Sequence, residues 1–241
     1  MHFLLYTLIM NLRKFAAILI VLIFPIVSYL YVNSLSKKAV VMPKRYFYDT
    51  VLSITKDGKT LPDTIWHKIK PFTLTNQFGK KVSFDDLKGK IIIANFIFTS
   101  CPSICPTLTR NMKRLQDAFV KTDTIVRFIS FTVDPVRDSP EKLKAFGDRF
   151  RINHDTWWML TGSKKEIYDI ALNEFKANIA QQEGVDTNFI HTDKLFLVDK
   201  DRVLRGWYNG LDSVRLDQII KDVVLLNMER DKKKKRNLFR K

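Results

Sequence analysis

Residues Ile91–Phe98 read IIIANFIF, an almost unbroken apolar run. Such a run suits a central strand buried on both faces, because a parallel strand covered by helices has no solvent side on which to alternate. Its neighbours fit that placement. Leu108, Met112, Leu115 and Phe119 share one helical face. Ile125–Val133 is a second central strand, and Trp157–Leu160 a short third one. Between them, Ser139-Pro140-Glu141 opens a helix with Ser as cap and Pro at its first position, followed by Leu143, Phe146 and Phe150. Ser163 and Glu166 form a capping box ahead of Ile167, Ile170 and Ala171. Lys194–Asp199 and Val203–Tyr208 flank Lys200-Asp201-Arg202 as a hairpin, and Val214–Leu226 is an amphipathic helix.

Upstream, Phe72-Thr73-Leu74 and Lys81–Phe84 alternate around Gln77-Phe78-Gly79 and predict a hairpin. Alternating strands and helices closed by an antiparallel hairpin predict an α/β protein, a thioredoxin-like fold with an N-terminal hairpin addition. Regular structure is expected from about Pro71. The stretch Ser36–Leu61, broken by Pro43 and Gly58, reads as an irregular lead-in.

Ahead of this domain, Phe15–Val32 (FAAILIVLIFPIVSYLYV) holds eighteen residues without a charge. As a helix it would be about 27 Å long, close to the hydrocarbon thickness of a bilayer. No small-x-small site follows it, so a retained transmembrane anchor is expected rather than a cleaved signal. Arg13 and Lys14 before the span, and Lys37, Lys38, Lys44 and Arg45 after it, give opposing orientation signals. Met10 is a second candidate start. The expected organisation is a short segment at 1–14, an anchor at 15–32, a tether at 33–60, the thioredoxin-like domain at 61–228 and a basic tail at 229–241. No Ser/Arg-rich transit segment precedes the anchor, so a bacterial inner membrane with the domain in the periplasm is expected.

The net charge is +16, of which the tail supplies +6. Lys232–Arg236 is the one strong basic run. It reads as a solvated tail, or as a contact for anionic lipid near the anchor, and no nucleic-acid partner is expected. Two cysteines exclude a disulfide scaffold, and four histidines exclude a repeated zinc array.

Both cysteines lie in Thr99-Ser100-Cys101-Pro102-Ser103-Ile104-Cys105-Pro106, between the first buried strand and its helix. At i and i+4 they share a helix face, so the two sulfurs can meet each other or one metal. Free amides and the dipole at the helix N-terminus favour thiolate. Pro106 costs no bond within the first turn, and Cys105, as the residue before a proline, is expected in a distorted turn. A buried structural pair and a static disulfide are the alternatives.

His2 lies before the span. His67 and His154 read as solvated polar residues. His191 precedes the strand Leu195–Val198, in the loop that a thioredoxin-like layout brings over the cysteine helix. Thioredoxin-type exchangers place a cis-proline in that loop, but here no proline follows Pro140. Two thiolates suit Cu(I), and imidazole suits Cu(II). Zinc accepts the same donors but normally takes a fourth.

GKIIIANFIFTSCPSICP, FTVDPVRDSPEKL and HTDKLFLVDKDRVL, in this order and spacing, resemble the SCO/SenC family. These are membrane-anchored copper-binding proteins that assist assembly of cytochrome c oxidase. The resemblance covers roughly Pro71–Asn227, and its CxxxCP motif with a distal His is its specific part. It implies a metallochaperone that binds one copper through Cys101, Cys105 and His191. The partner it implies is the copper-bearing subunit of the oxidase, at its dinuclear copper site. Asp134 matches an acidic position near the metal, where it would support the ligands; a turn-forming Asp-Pro is the alternative. Ser103 stands where the family often has an acid. A thiol–disulfide oxidoreductase, with Cys101 and Cys105 as the redox-active pair, is the competing function. A thiol peroxidase would need Thr99 and Arg110, whose spacing does not suit it.

Overall fold

A computed structural model describes residues 21–33, 41–56, 59–122, 124–177 and 192–238. The chain divides into two units, Met1–Val41 and Met42–Lys241. In the first unit the described residues contain one helix, α1 (residues 21–33), with Val21, Phe24 and Leu30 exposed. Among the described residues no helix is long and apolar enough to cross a membrane. Residues 15–20 of the expected span lie outside the described residues.

The second unit is built on a seven-stranded sheet of order β4-β3-β7-β6-β5-β8-β9. Its strands are β3 (Thr73–Asn76), β4 (Lys81–Ser83), β5 (Ile91–Ile97), β6 (Val126–Thr132), β7 (Trp157–Thr161), β8 (Lys194–Val198) and β9 (Leu204–Asn209). β5, β6 and β7 are mutually parallel, while β8 runs antiparallel to β5, and β9 to β8. Every residue of β5 is buried. Ile91, Ile93 and Ile97 join one core, and Ile92, Ala94 and Phe96 join the other. The apolar run is continuous because the pleat sends alternate side chains into two separate cores.

The first core lies under α2 (Ile104–Ala118), α3 (Pro140–Arg149) and α5 (Ser213–Leu238). Leu108, Met112 and Leu115 of α2 are wholly buried there, each worth about 1.5–3 kcal/mol. The second core holds Phe96, Phe131, Phe175 and Phe196, with ring centroids 5.2–5.7 Å apart. Edge-to-face contacts dominate it, the arrangement the ring quadrupoles favour. Phe175 reaches it from the end of α4 (Lys164–Asp169), which widens into a π turn at Ile170–Glu174.

Local signals act as expected. Ser139 caps α3 with Pro140 at its start, and Ser163 and Glu166 form the capping box of α4. In the β3–β4 turn, Asn76 Oδ1 accepts from the amides of Phe78 and Lys80, while Gly79 takes φ +73°, where a side chain would be strained.

Two expectations are corrected. The stretch read as an irregular lead-in carries a hairpin, β1 (Tyr48–Lys56) with β2 (Lys59–Trp66), so regular structure begins well before Pro71. Asp57-Gly58, between the paired Lys56 and Lys59, is a favoured two-residue hairpin dipeptide and was the available signal. The last helix continues past Leu226 to Leu238. Residues 227–238 contain neither Gly nor Pro and are mostly sound helix formers, so the backbone meets no stop.

Candidate metal and thiol site

β5 delivers the chain into a short loop, and Cys101 closes it by donating its amide to the Phe98 carbonyl at 3.2 Å. α2 then begins at Ile104. Its cap residue Ser103, at φ −111° and ψ −93°, makes no side-chain capping bond. The Ser103 hydroxyl instead lies 3.7 Å from Cys101 Sγ. The Cys105 amide, in the first turn, points at the same sulfur across 3.5 Å. A helix begins with amides that have no intrahelical acceptor, and here Cys101 Sγ takes one of them. Pro106 removes another at no cost. The irregular backbone falls on Ser103, whereas Cys105 lies within α2, so the distortion expected at the residue before Pro106 is found two residues earlier.

Both thiols are free and buried, on the edge of the first core. Their acidities diverge. Burial pushes the Cys101 thiol up, but hydrogen bonds from the Cys105 thiol and amide, and from Ser103, outweigh it and bring the pKa down to about 6. Cys105 is pushed up to about 12. Burial is the largest cause; a backbone hydrogen bond at Phe98 opposes it, while donation to Cys101 and the charges of Cys101 and Asp138 add to it. The arrangement favours an ionised Cys101 beside a protonated Cys105 at neutral pH.

Asp138 was not singled out from the sequence. It is 1% exposed. Its carboxylate accepts from the Thr99 amide at 3.0 Å and from the hydroxyls of Thr99 and Thr132, both at 2.5 Å. A buried carboxylate needs such donors. They tie the loop before the cysteines to the end of β6. Thr99 and Asp138 are 39 residues apart, so no local pattern could reveal the pair.

Asp134 is half-buried and pairs with Arg137 across 3.4 Å. Its carbonyl accepts from the amides of Arg137 and Asp138. These contacts shape the turn that carries Asp138. Thr99 spends its hydroxyl on Asp138, and exposed Arg110 bonds Thr107, so neither is arranged to activate a peroxidatic sulfur.

His191 lies outside the described residues, and among those described no group of three His, Cys, Asp or Glu is placed to hold a metal. The residues that follow His191 are well fixed. Thr192 is buried, and the Asp193 carbonyl accepts from the Gly210 amide at 2.8 Å. Asn111 of α2 donates to the Gly210 carbonyl at 2.8 Å. A Cβ on Gly210 would stand 2.2 Å from Leu108 Cδ1 and 3.1 Å from the Asp193 carbonyl. The backbone entering β8 is therefore held against α2 at Leu108, about one turn beyond Cys105.

The other described histidines are structural rather than solvated. His67 is buried, its Nδ1 2.8 Å from Asp49 and its Nε2 3.6 Å from buried Glu174. His154 Nδ1 accepts from Gln77, and its Nε2 donates to Asp148, both at 3.0 Å. Long-range packing, invisible in the local sequence, claims both rings.

The SCO1/SenC family pattern matches residues 64–225. The chain is 41% identical over 167 residues to the SCO1 protein homolog of Bacillus subtilis (strain 168), covering 69% of this chain and 86% of that one. It also resembles a solved structure of BsSco, described as a member of the Sco family of cytochrome c oxidase assembly proteins with a disulfide switch. That likeness has TM-score 0.56 and 36% identity, over 75% of this chain and 98% of the other. A third likeness is to Bradyrhizobium japonicum ScoI with copper bound, at TM-score 0.50 and 26% identity, over 65% and 96%.

Proposed function

The chain belongs to the SCO1/SenC family, and from that premise we propose that it carries one copper ion to the dinuclear copper site of cytochrome c oxidase. Cys101, Cys105 and His191 are its ligands. The observation that carries this reading is the pair of free thiols at the start of α2, where the Cys105 amide points at Cys101 Sγ across 3.5 Å and favours its thiolate. Soft thiolates suit Cu(I). Cys101 offers its lone pair at neutral pH without first losing a proton, and Cys105 releases its proton as the ion is taken up. The clamp of Asn111 on Gly210, and of Gly210 on Asp193, holds the chain that follows His191 in sequence against α2. Asp138 holds the loop that presents Cys101. The relatives described as oxidase assembly proteins, and as copper-bound, supply the cargo and the partner. The apolar run Phe15–Val32 anchors the chain in a bacterial inner membrane, with the sheet-bearing unit in the periplasm.

The same asymmetry favours a second reading, thiol–disulfide exchange. The Cys101 thiolate would attack a disulfide of the exported partner and expel one of its sulfurs as thiolate. Cys105, on losing its proton, would then displace the partner's other sulfur, leaving Cys101–Cys105 oxidised and the partner reduced. His191→Ala separates the two. Under the copper reading it lowers affinity for Cu(II) far more than for Cu(I), and it impairs oxidase maturation. Cys101→Ser and Cys105→Ser each abolish stoichiometric Cu(I) binding. If His191→Ala leaves both copper states and oxidase maturation intact while either Cys→Ser change destroys function, the exchange reading replaces the chaperone one.

A further inference from the structure

The cysteines mark one pole of the sheet-bearing unit, and the opposite pole is basic. Cys101 follows the C-terminal end of β5, while Lys88 and Lys90 precede its N-terminal end. Because β8 is antiparallel to β5, Lys200 and Arg202 of the β8–β9 turn lie at that same far end. Lys68 and Lys70 join them, since the Ile69 amide donates to the Arg202 carbonyl and Lys68 bridges Val203. A shallow groove there is lined by Lys68, Lys70, Lys88, Lys200 and Arg202, against Asp85 and Asp201. Asp85 is already engaged by Arg202. Lys68, Lys70 and Lys88 are exposed. Seven residues of strand separate this pole from the cysteine end, about 23 Å.

Two chain paths converge on it. The sheet-bearing unit starts at Met42, and the Pro43 carbonyl is held there by buried Arg205, the second residue of β9. The N-terminal end of this unit, ten residues past Val32 in the sequence, therefore lies at its basic pole. At the other end, α5 arrives at the same pole, where Asn227 bonds Lys200 and Glu229 bonds Arg205. Its backbone continues through Lys232–Arg236.

We propose that this pole is a docking face for anionic lipid headgroups, which turns the cysteine pole away from the bilayer and toward the partner. This rests on the anchor part of the proposed function, not on copper. The occupant is lipid rather than an acidic protein, because the groove lies at the end where the unit begins, ten residues past an apolar run in the sequence, and where the backbone of α5 continues into Lys232–Arg236. Each lysine near an anionic surface strengthens binding roughly fivefold, within a Debye length of about 10 Å.

The test is hydrogen exchange on the full chain in nanodiscs of phosphatidylcholine, alone or mixed with phosphatidylglycerol. Peptides covering 68–71, 86–90 and 199–203 should exchange several-fold more slowly in the anionic discs only. Peptides covering 98–106 should be unchanged, and high salt should remove the protection. Lys68→Glu/Lys70→Glu/Lys88→Glu, all on the surface, should remove it too, with an unchanged circular dichroism spectrum. Equal protection in both lipids, protection at 98–106, or protection that survives the triple substitution overturns the proposal. Incorporation is scored separately by co-elution with the discs. A chain that does not incorporate overturns the anchor, and the docking face is then judged by flotation with vesicles of the same two compositions. Binding to the anionic vesicles that the triple substitution abolishes supports the face; no lipid preference refutes it.

Discussion

Replacing Asp138 by alanine removes the acceptor for three donors at once: the Thr99 amide and the hydroxyls of Thr99 and Thr132. The site is 1% exposed, so water does not freely replace the carboxylate. A buried donor left unpaired costs about 1–3 kcal/mol, and hydroxyls that can rotate to new acceptors recover part of this. The expected loss is about 3–5 kcal/mol, a large part of the stability of a domain this size. Urea unfolding of the reduced chain, followed by tryptophan fluorescence, measures it directly. Asp138→Asn keeps one acceptor oxygen but turns an amide toward the same donors, so its loss should fall between wild type and alanine. A double-mutant cycle with Thr132→Val should show a coupling of about 1–2 kcal/mol. If Asp138→Ala costs less than about 1 kcal/mol, the carboxylate is not the fastening that holds the Cys101 loop to β6.

The rate of alkylation of the reduced chain at Cys101 should rise with pH to a half-maximum near 6 and fall below it as the sulfur is protonated, with Cys105 unreactive across that range; a midpoint near the ordinary thiol value of about 8.5 would contradict the hydrogen-bond account. Oxidation to a Cys101–Cys105 disulfide should abolish Cu(I) uptake measured by equilibrium dialysis, and equal uptake by oxidised and reduced protein would show that the sulfurs are not the ligands. Gly210→Ala should cost about 1–3 kcal/mol in urea unfolding, because its Cβ would meet Leu108 Cδ1 at 2.2 Å. Leu108→Ala should relieve that clash, so the double variant should be less destabilised than the two single losses added together.

Much of the framework was legible because it is set by neighbours in the chain. The run Ile91–Ile97 announces a strand with cores on both sides, Ser139-Pro140 and Ser163–Glu166 announce helix starts, and the spacing of Cys101 and Cys105 keeps two thiols together at a helix start, although Cys101 lies in the loop before α2 and not on its face. Each signal depends on backbone periodicity or on a cap that reaches three residues, so it survives without knowledge of the fold. The hairpin Tyr48–Trp66 was legible in principle from Asp57-Gly58, but it was outweighed by the polar, proline-broken sequence around it.

What the chain order concealed is the setting of the thiols. Asp138 meets Thr99 only because β5 and β6 are parallel neighbours whose C-terminal ends open into the same space. Asn111 reaches Gly210 across 99 residues, and His67 finds Asp49 and Glu174 through the folding of a hairpin onto the π turn. The sequence by itself determined which residues are thiols and that they flank the start of one helix. Only the tertiary structure decided how far their acidities diverge, since burial, and the Asp138 carboxylate brought in from the turn after β6, exist only once the sheet has assembled.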